Sequence, residues 1–154
     1  MISKTEIEKF LSLKSYALVG ASRNEKKFGN TLLKELKNRG MKIYPVHFDV
    51  DEIDGIKCYR NFYSFPEKVE GLIISVNKNK TLDIVREAYN CGIHYIWIQL
   101  MSDSKEAIQF CEENNISYIS KECLLMYLEP VKSIHGFHRF FKKLFGRYPK
   151  SIDN

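Results

Sequence analysis

The segment Gly20-Ala21-Ser22-Arg23-Asn24-Glu25-Lys26-Lys27-Phe28-Gly29-Asn30 holds the residue types that bind a phosphorylated ligand. It follows a short apolar run, Tyr16-Ala17-Leu18-Val19, and leads into a stretch with helical spacing. The first turn of a helix carries unpaired N–H groups and the positive end of its peptide dipoles, and both favour negatively charged oxygen. Gly20 permits a tight turn and a close approach of backbone to ligand. Ser22 can donate a hydroxyl, while Arg23, Lys26 and Lys27 supply charge for a pyrophosphate or a separate phosphate. Gly29 and Asn30 fall where a helix, expected from about Phe28 to Arg39, begins.

Other chemistries find less support. A dinucleotide fingerprint needs G-x-G-x-x-G after the strand and an acid about 20 residues on. Here Ser22 and Glu25 stand at the second and third glycine positions. The next strand ends Pro45-Val46-His47, with no acid immediately in place for a ribose diol. Ser22 has no His or Asp placed by the sequence to activate it as a nucleophile. Cys58, Cys91, Cys111 and Cys123 form no C-x-x-C pair and no zinc spacing, so they read as small buried hydrophobes in a reducing compartment. His135 and His138 are three apart with only Glu129 near, and no metal site is expected.

The elements that must position the loop follow from periodicity. Tyr16–Val19, Lys42–His47, Gly71–Val76, Tyr95–Ile98 and Ile116–Ile119 read as five strands. Their near-continuous apolar runs suit burial on both faces. Helices are expected over Thr5–Leu13, Phe28–Arg39, Thr81–Cys91 and Ser104–Asn114, with Ser104 as a cap and Gly40 and Gly92 as stops. Pro45 is expected to take the second strand out of its ladder. Gly55–Tyr59 reads as a short extended piece in a loop-like stretch. Alternating strands and helices predict an α/β fold: an open, Rossmann-like parallel sheet of about five strands with helices on both faces.

The length of 154 residues, 44% of them hydrophobic, suits one core and is too short for two comfortable domains. The expectation is a single domain over 1–154, with its core at about 15–123 and a helical extension at about 132–147. In that extension Phe137, Phe140, Phe141, Leu144 and Phe145 make one face and His135, Arg139, Lys142 and Lys143 another, the pattern of a basic amphipathic helix. No apolar run approaches a membrane span, and the first ten residues carry acidic groups and no apolar signal core. A cytoplasmic location is expected. The net charge of +5 suits a polyanionic ligand. No interleaved aromatic platform for single strands is present, so nucleic acid is not the expected partner.

A family resemblance rests on several short motifs. They are Val19-Gly20-Ala21-Ser22-Arg23, Lys27-Phe28-Gly29-Asn30, Gly40-Met41-Lys42-Ile43-Tyr44-Pro45-Val46, Gly55-Ile56-Lys57-Cys58-Tyr59, Pro66-Glu67-Lys68-Val69-Glu70-Gly71 and Ile96-Trp97-Ile98-Gln99. Over roughly Ser15 to Cys123 the chain resembles the CoA-binding domain family, small proteins similar to the N-terminal domain of the succinyl-CoA synthetase α subunit. The resemblance implies coenzyme A lying across the strand ends. By it, Gly20, Ala21, Ser22 and Arg23 would face the pyrophosphate. Pro45, Val46 and His47 would border the adenine or its ribose, and Ser75, Val76, Asn77 and Lys78 would line the cleft after the third strand. The family usually has proline where Asn77 stands and a glycine-bearing turn where this chain reads Leu100-Met101-Ser102.

Three functions follow. The first is a non-catalytic module that holds coenzyme A or an acyl-CoA through its phosphates. The second is an enzyme using NAD(P) or another nucleotide, which the missing acid and the missing second glycine weaken. The third is an interaction protein with a vestigial pocket, its basic Lys132–Lys150 segment engaging an acidic partner. The residues favour a binding module over an enzyme.

Overall fold

In chain order the described residues, 2–128 of a computed structural model, form α1 (Lys4–Leu11), β1 (Tyr16–Val19), α2 (Phe28–Asn38), β2 (Ile43–Val46), β3 (Glu52–Ile53), β4 (Ile56–Lys57), β5 (Gly71–Ile74), α3 (Thr81–Asn90), β6 (Tyr95–Gln99), α4 (Lys105–Glu113) and β7 (Ser117–Glu122). The basic helix expected at 132–147 lies outside the described residues. β1, β2, β5, β6 and β7 make one parallel sheet in the order β2-β1-β5-β6-β7. The chain steps from β1 outward to β2, then returns to the other side of β1 and continues outward through β5, β6 and β7. The direction reverses at β1 and β5. The loops leaving their carboxyl ends diverge there, which is where open α/β sheets form a crevice.

Both faces of this sheet are covered, as the apolar strands require. Successive residues of a strand point to opposite faces. Leu18, Ile73, Trp97 and Ile119 meet Ile7 and Phe10 of α1 and Leu32, Leu33 and Leu36 of α2. Ala17, Leu72, Ile74, Ile96 and Ile98 meet Val85 and Ala88 of α3 and Ala107 and Cys111 of α4. Trp97 sits at the centre of the first layer, its ring 5.4 Å from that of Phe10 and 5.7 Å from that of Tyr127. Its indole N–H donates to the Glu122 carbonyl at 3.2 Å, so the large ring is buried without an orphaned donor.

Local signals explain the element ends. Ser3 and Glu6 form a capping box on α1. The Ser104 hydroxyl accepts from the Ala107 amide at 3.1 Å and caps α4 as expected. Pro45 departs from its expected role, because it stays inside β2 opposite Leu18. Lys42 offers its carbonyl to Tyr16 in β1, so alternate backbone groups at 43, 45 and 47 face the other way. The Pro45 carbonyl accepts from the Tyr59 amide at 2.8 Å on that outer side. The N–H that proline lacks would have pointed outward too, and no bond to β1 is lost. The stretch expected to be loop-like also contains the β3–β4 hairpin. Its turn residues Asp54 and Gly55 lie at φ +52° and +73°, the pair of left-handed conformations that a two-residue hairpin turn demands.

Candidate functional site

Two glycines set the geometry at the head of the sheet. Gly20 follows β1 at φ +130°, and a Cβ on it would lie 2.0 Å from the Ser75 carbonyl oxygen after β5. A Cβ on Gly29 would lie 2.1 Å from the carbonyl oxygen of Gly20. The first turn of α2 is therefore seated directly on the backbone that leaves β1. Only residues without a side chain allow that approach. Gly29 does here what the last glycine of a dinucleotide fingerprint does elsewhere, packing helix onto strand.

The loop between them is held by its own polar groups. The Ser22 amide donates to Asn30 Oδ1 at 2.7 Å, and Asn30 Nδ2 donates back to the Ser22 carbonyl. Asn30 is buried, so this pair fixes the loop to α2. The Asn24 amide donates to the Ser22 hydroxyl at 3.1 Å, and the Lys26 amide to Asn24 Oδ1 at 3.1 Å. Ser22 and Asn30, both expected as ligand contacts, thus brace the loop itself. The side chains of Arg23, Lys26 and Lys27 are exposed and take part in no ion pair among the described residues. Lys27 is the N-cap residue of α2, and no side chain caps that helix.

This uncapped start opens on a cleft of about 530 Å³. Lys27, Phe28 and Gly29 form one wall, and Ser75, Val76 and Asn77 after β5 form another. Gln99, Leu100, Met101 and Ser102 after β6, with Cys123, close the third side. The structure therefore brings together the α2 start and the β5 loop, as the sequence implies. Among the expected residues, Gly20, Ala21, Ser22, Arg23, Lys26 and Asn30 do not line this cleft, and Lys78 stands in a neighbouring depression with Lys105 and Lys121. Gln99, Ser102 and Cys123 were not candidates from sequence. Gln99 is the end of the Ile96–Gln99 motif, and its buried side chain accepts from the Leu124 amide at 3.1 Å. Buried Ser102 accepts from the Val76 amide at 3.1 Å through its hydroxyl, tying the β6 loop to the β5 loop.

Pro45, Val46 and His47 lie at the end of β2, beyond β1 from the cleft. His47 Nδ1 accepts from the amides of Asp49 and Val50, at 3.2 Å each. Its ring stacks on that of Phe48, 5.2 Å between centroids and 14° apart in plane. Phe48 is 82% exposed, so the two rings form an open aromatic shelf. Asp51, the next acid but one, is paired with Arg60 across the β3–β4 hairpin. Of the thiols, Cys58, Cys111 and Cys123 are buried, and burial pushes Cys111 up to about 11. Among the described residues no group of His, Cys, Asp or Glu could hold a metal ion.

Residues 14–129 match the family described as the CoA binding domain. The chain belongs to the CoA-binding domain family. Its curated relatives include an ADP-forming acetate–CoA ligase of Methanocaldococcus jannaschii, 31% identical over 117 residues, or 76% of this chain and 16% of that ligase. An ADP-forming acetate–CoA ligase II of Archaeoglobus fulgidus is 33% identical over 112 residues, or 71% of this chain and 17% of that ligase. The chain thus spans about a sixth of the length of these relatives. Among solved structures it is similar to a conserved hypothetical protein of Pyrococcus furiosus, 35% identical with a TM-score of 0.68. That match covers 72% of this chain and 96% of the other. A hypothetical protein of Pyrococcus horikoshii is 27% identical, TM-score 0.74, over 80% of this chain and 87% of its own. The kinship to CoA-using synthetases therefore runs through the acetate–CoA ligases.

The two departures from the CoA-binding pattern have distinct structural consequences. Asn77 lies at φ −58°, within the range that proline fixes, and its side chain accepts from the Asn79 amide at 3.0 Å. The backbone at this position keeps the shape proline would give it. Met101 instead lies at φ +75° with its side chain 82% exposed at the cleft rim. A turn suited to glycine is retained there, with a long apolar side chain added. Among the described residues no helix is long and apolar enough to cross a membrane.

Proposed function

We propose that this chain binds coenzyme A or an acyl-CoA as a non-catalytic module. The observation that carries the reading is the start of α2. α2, like α3, has no side-chain cap, and it is α2 whose first turn lines the cleft at the β1–β5 reversal. Its dipole and the basic side chains of Arg23, Lys26 and Lys27 provide a seat for phosphate oxygens. The pantetheine arm then runs past Ser75, Val76 and Asn77, and the adenine lies toward the His47–Phe48 shelf. Membership of the CoA-binding domain family supports the same ligand.

A binding role without chemistry is supported by how the hydroxyls near the site are used. Those of Ser22 and Ser102 accept from the amides of Asn24 and Val76, and neither is paired with a base. The ligase activity named for the relatives belongs to much longer proteins. The buried thiols suit a reducing, cytoplasmic setting.

Thermal unfolding with added ligand tests the reading. A ligand at millimolar concentration with a micromolar Kd adds about 4 kcal/mol to stability. Coenzyme A is expected to raise Tm by several degrees, with NADH and ATP at the same concentration having little effect. A rise with NADH and none with coenzyme A overturns it.

A further inference from the structure

We infer that the cleft beyond β5 and β6 selects thioesters carrying an apolar acyl group, with Phe28, Leu100 and Met101 as specificity-determining side chains; the inference rests on the coenzyme A reading above. Five large hydrophobic side chains are exposed among the described residues, and these three of them line this one cleft. Apolar side chains gathered at the mouth of a concave surface mark a binding site for carbon.

Three acceptors of the same wall are already engaged with the protein. Asn77 Oδ1, Gln99 Oε1 and the Ser102 hydroxyl accept from the backbone amides of Asn79, Leu124 and Val76. With Phe28, Leu100 and Met101 exposed, most of what this end of the cleft adds for a ligand is carbon surface. Met101 adds to that surface from a left-handed backbone position that disfavours side chains. The pantetheine arm of free coenzyme A ends in a small thiol and leaves this apolar rim in water. An acyl group on that sulfur covers it. Lys27, beside Phe28 on the wall that faces Leu100 and Met101, keeps the charged half of such a ligand nearby, so one cleft presents both charge and carbon.

Calorimetric titration of the full chain with coenzyme A, acetyl-CoA, butyryl-CoA and hexanoyl-CoA tests this. Each buried methylene is worth about fourfold in affinity. With partial burial of the chain, hexanoyl-CoA is expected to bind at least about tenfold more tightly than acetyl-CoA. In Met101→Gly, which suits the backbone there, and in Leu100→Ser the ratio of hexanoyl-CoA to acetyl-CoA affinity falls to about threefold or less. Equal affinity along the series in the natural chain overturns the inference and leaves the coenzyme A reading standing. An undiminished gradient in both variants overturns the assignment to these side chains. Failure of every member to bind removes the coenzyme A reading and this inference together.

Discussion

Gly29 rests its Cα on the carbonyl of Gly20, so close that a Cβ would lie 2.1 Å from the oxygen and 2.3 Å from the carbonyl carbon. Both neighbours are backbone, and a clash with backbone is relieved only by moving α2 away from β1. Gly29→Ala is expected to cost about 3 kcal/mol, the upper end of overpacking effects. Gly40→Ala makes the control. Gly40 lies at φ +71°, but nothing stands within 4 Å of its would-be Cβ, so only the left-handed conformation is penalised, at about 1 kcal/mol. Urea unfolding of the two variants separates them. Equal losses would mean that the helix start is not locked to the strand.

Asn30 converts that packing into a fixed loop. Its amide both accepts from and donates to the Ser22 backbone, a pairing that needs a carbonyl oxygen and an NH₂ on one side chain. Asn30→Asp keeps the acceptor and loses the donor, leaving the Ser22 carbonyl facing a carboxylate. Asn30→Asp and Asn30→Ala are both expected to cost about 1–3 kcal/mol, the range for unpairing a buried polar group. Coenzyme A affinity should fall as well, since the loop carries the basic residues. A variant of unchanged stability would show that the loop holds itself without Asn30.

Arg23 presents the opposite balance. It is exposed and takes no part in the ion pairs of the described residues, so Arg23→Ala should change stability by less than about 0.5 kcal/mol. A charge-assisted bond to phosphate contributes about 1.5–3 kcal/mol, so coenzyme A affinity should fall about tenfold or more. The loss should shrink at high salt, because the contact is open to solvent. Calorimetry at two ionic strengths reads both effects. Equal affinity in the variant takes Arg23 out of the site.

The fold and the place of the candidate cleft are legible because each rests on a local signal. Apolar runs of four or five residues separated by helical spacing dictate a covered parallel sheet, and the loop after its first strand then lies at the reversal. What was less legible depends on partners distant in sequence. Pro45 looked like a strand terminator, but its effect depends on which side of β2 its nitrogen faces, and that is set by pairing with β1. Asn30 read as a ligand contact, since its engagement by Ser22 appears only once α2 is seated on Gly20. Gln99 and Ser102 lie 70 residues or more beyond the first loop and enter the cleft through the order of β5 and β6. The β3–β4 hairpin is a different case. Asp54-Gly55 is a local turn signal present in the sequence, but the flanking strands, with two residues each, are too short to show an alternating pattern.

Glu67 joins the sheet edge to the β4–β5 connection, and its titration should be visible in the acid limb of stability. Its carboxylate receives Lys42 Nζ at 2.6 Å and the Tyr44 hydroxyl at 2.7 Å. The hydrogen bond from Lys42, then that from Tyr44, holds its carboxyl below the ordinary value of 4.5. A group with a folded pKa below its unfolded one stabilises the protein fully above the unfolded value. That contribution is lost as pH falls through the folded value. Lys42, raised first by its hydrogen bond to Glu67, contributes in the opposite sense: fully below the ordinary lysine range and less as pH rises through its folded value. The pair therefore supports a plateau bounded at both ends, shallow and salt-sensitive because both groups are largely open to water. In Glu67→Gln the decline of Tm below pH 4.5 should be less steep than in the natural chain, and the difference should narrow in high salt. Superimposable acid limbs at low salt would show that the pair seen here contributes nothing to stability.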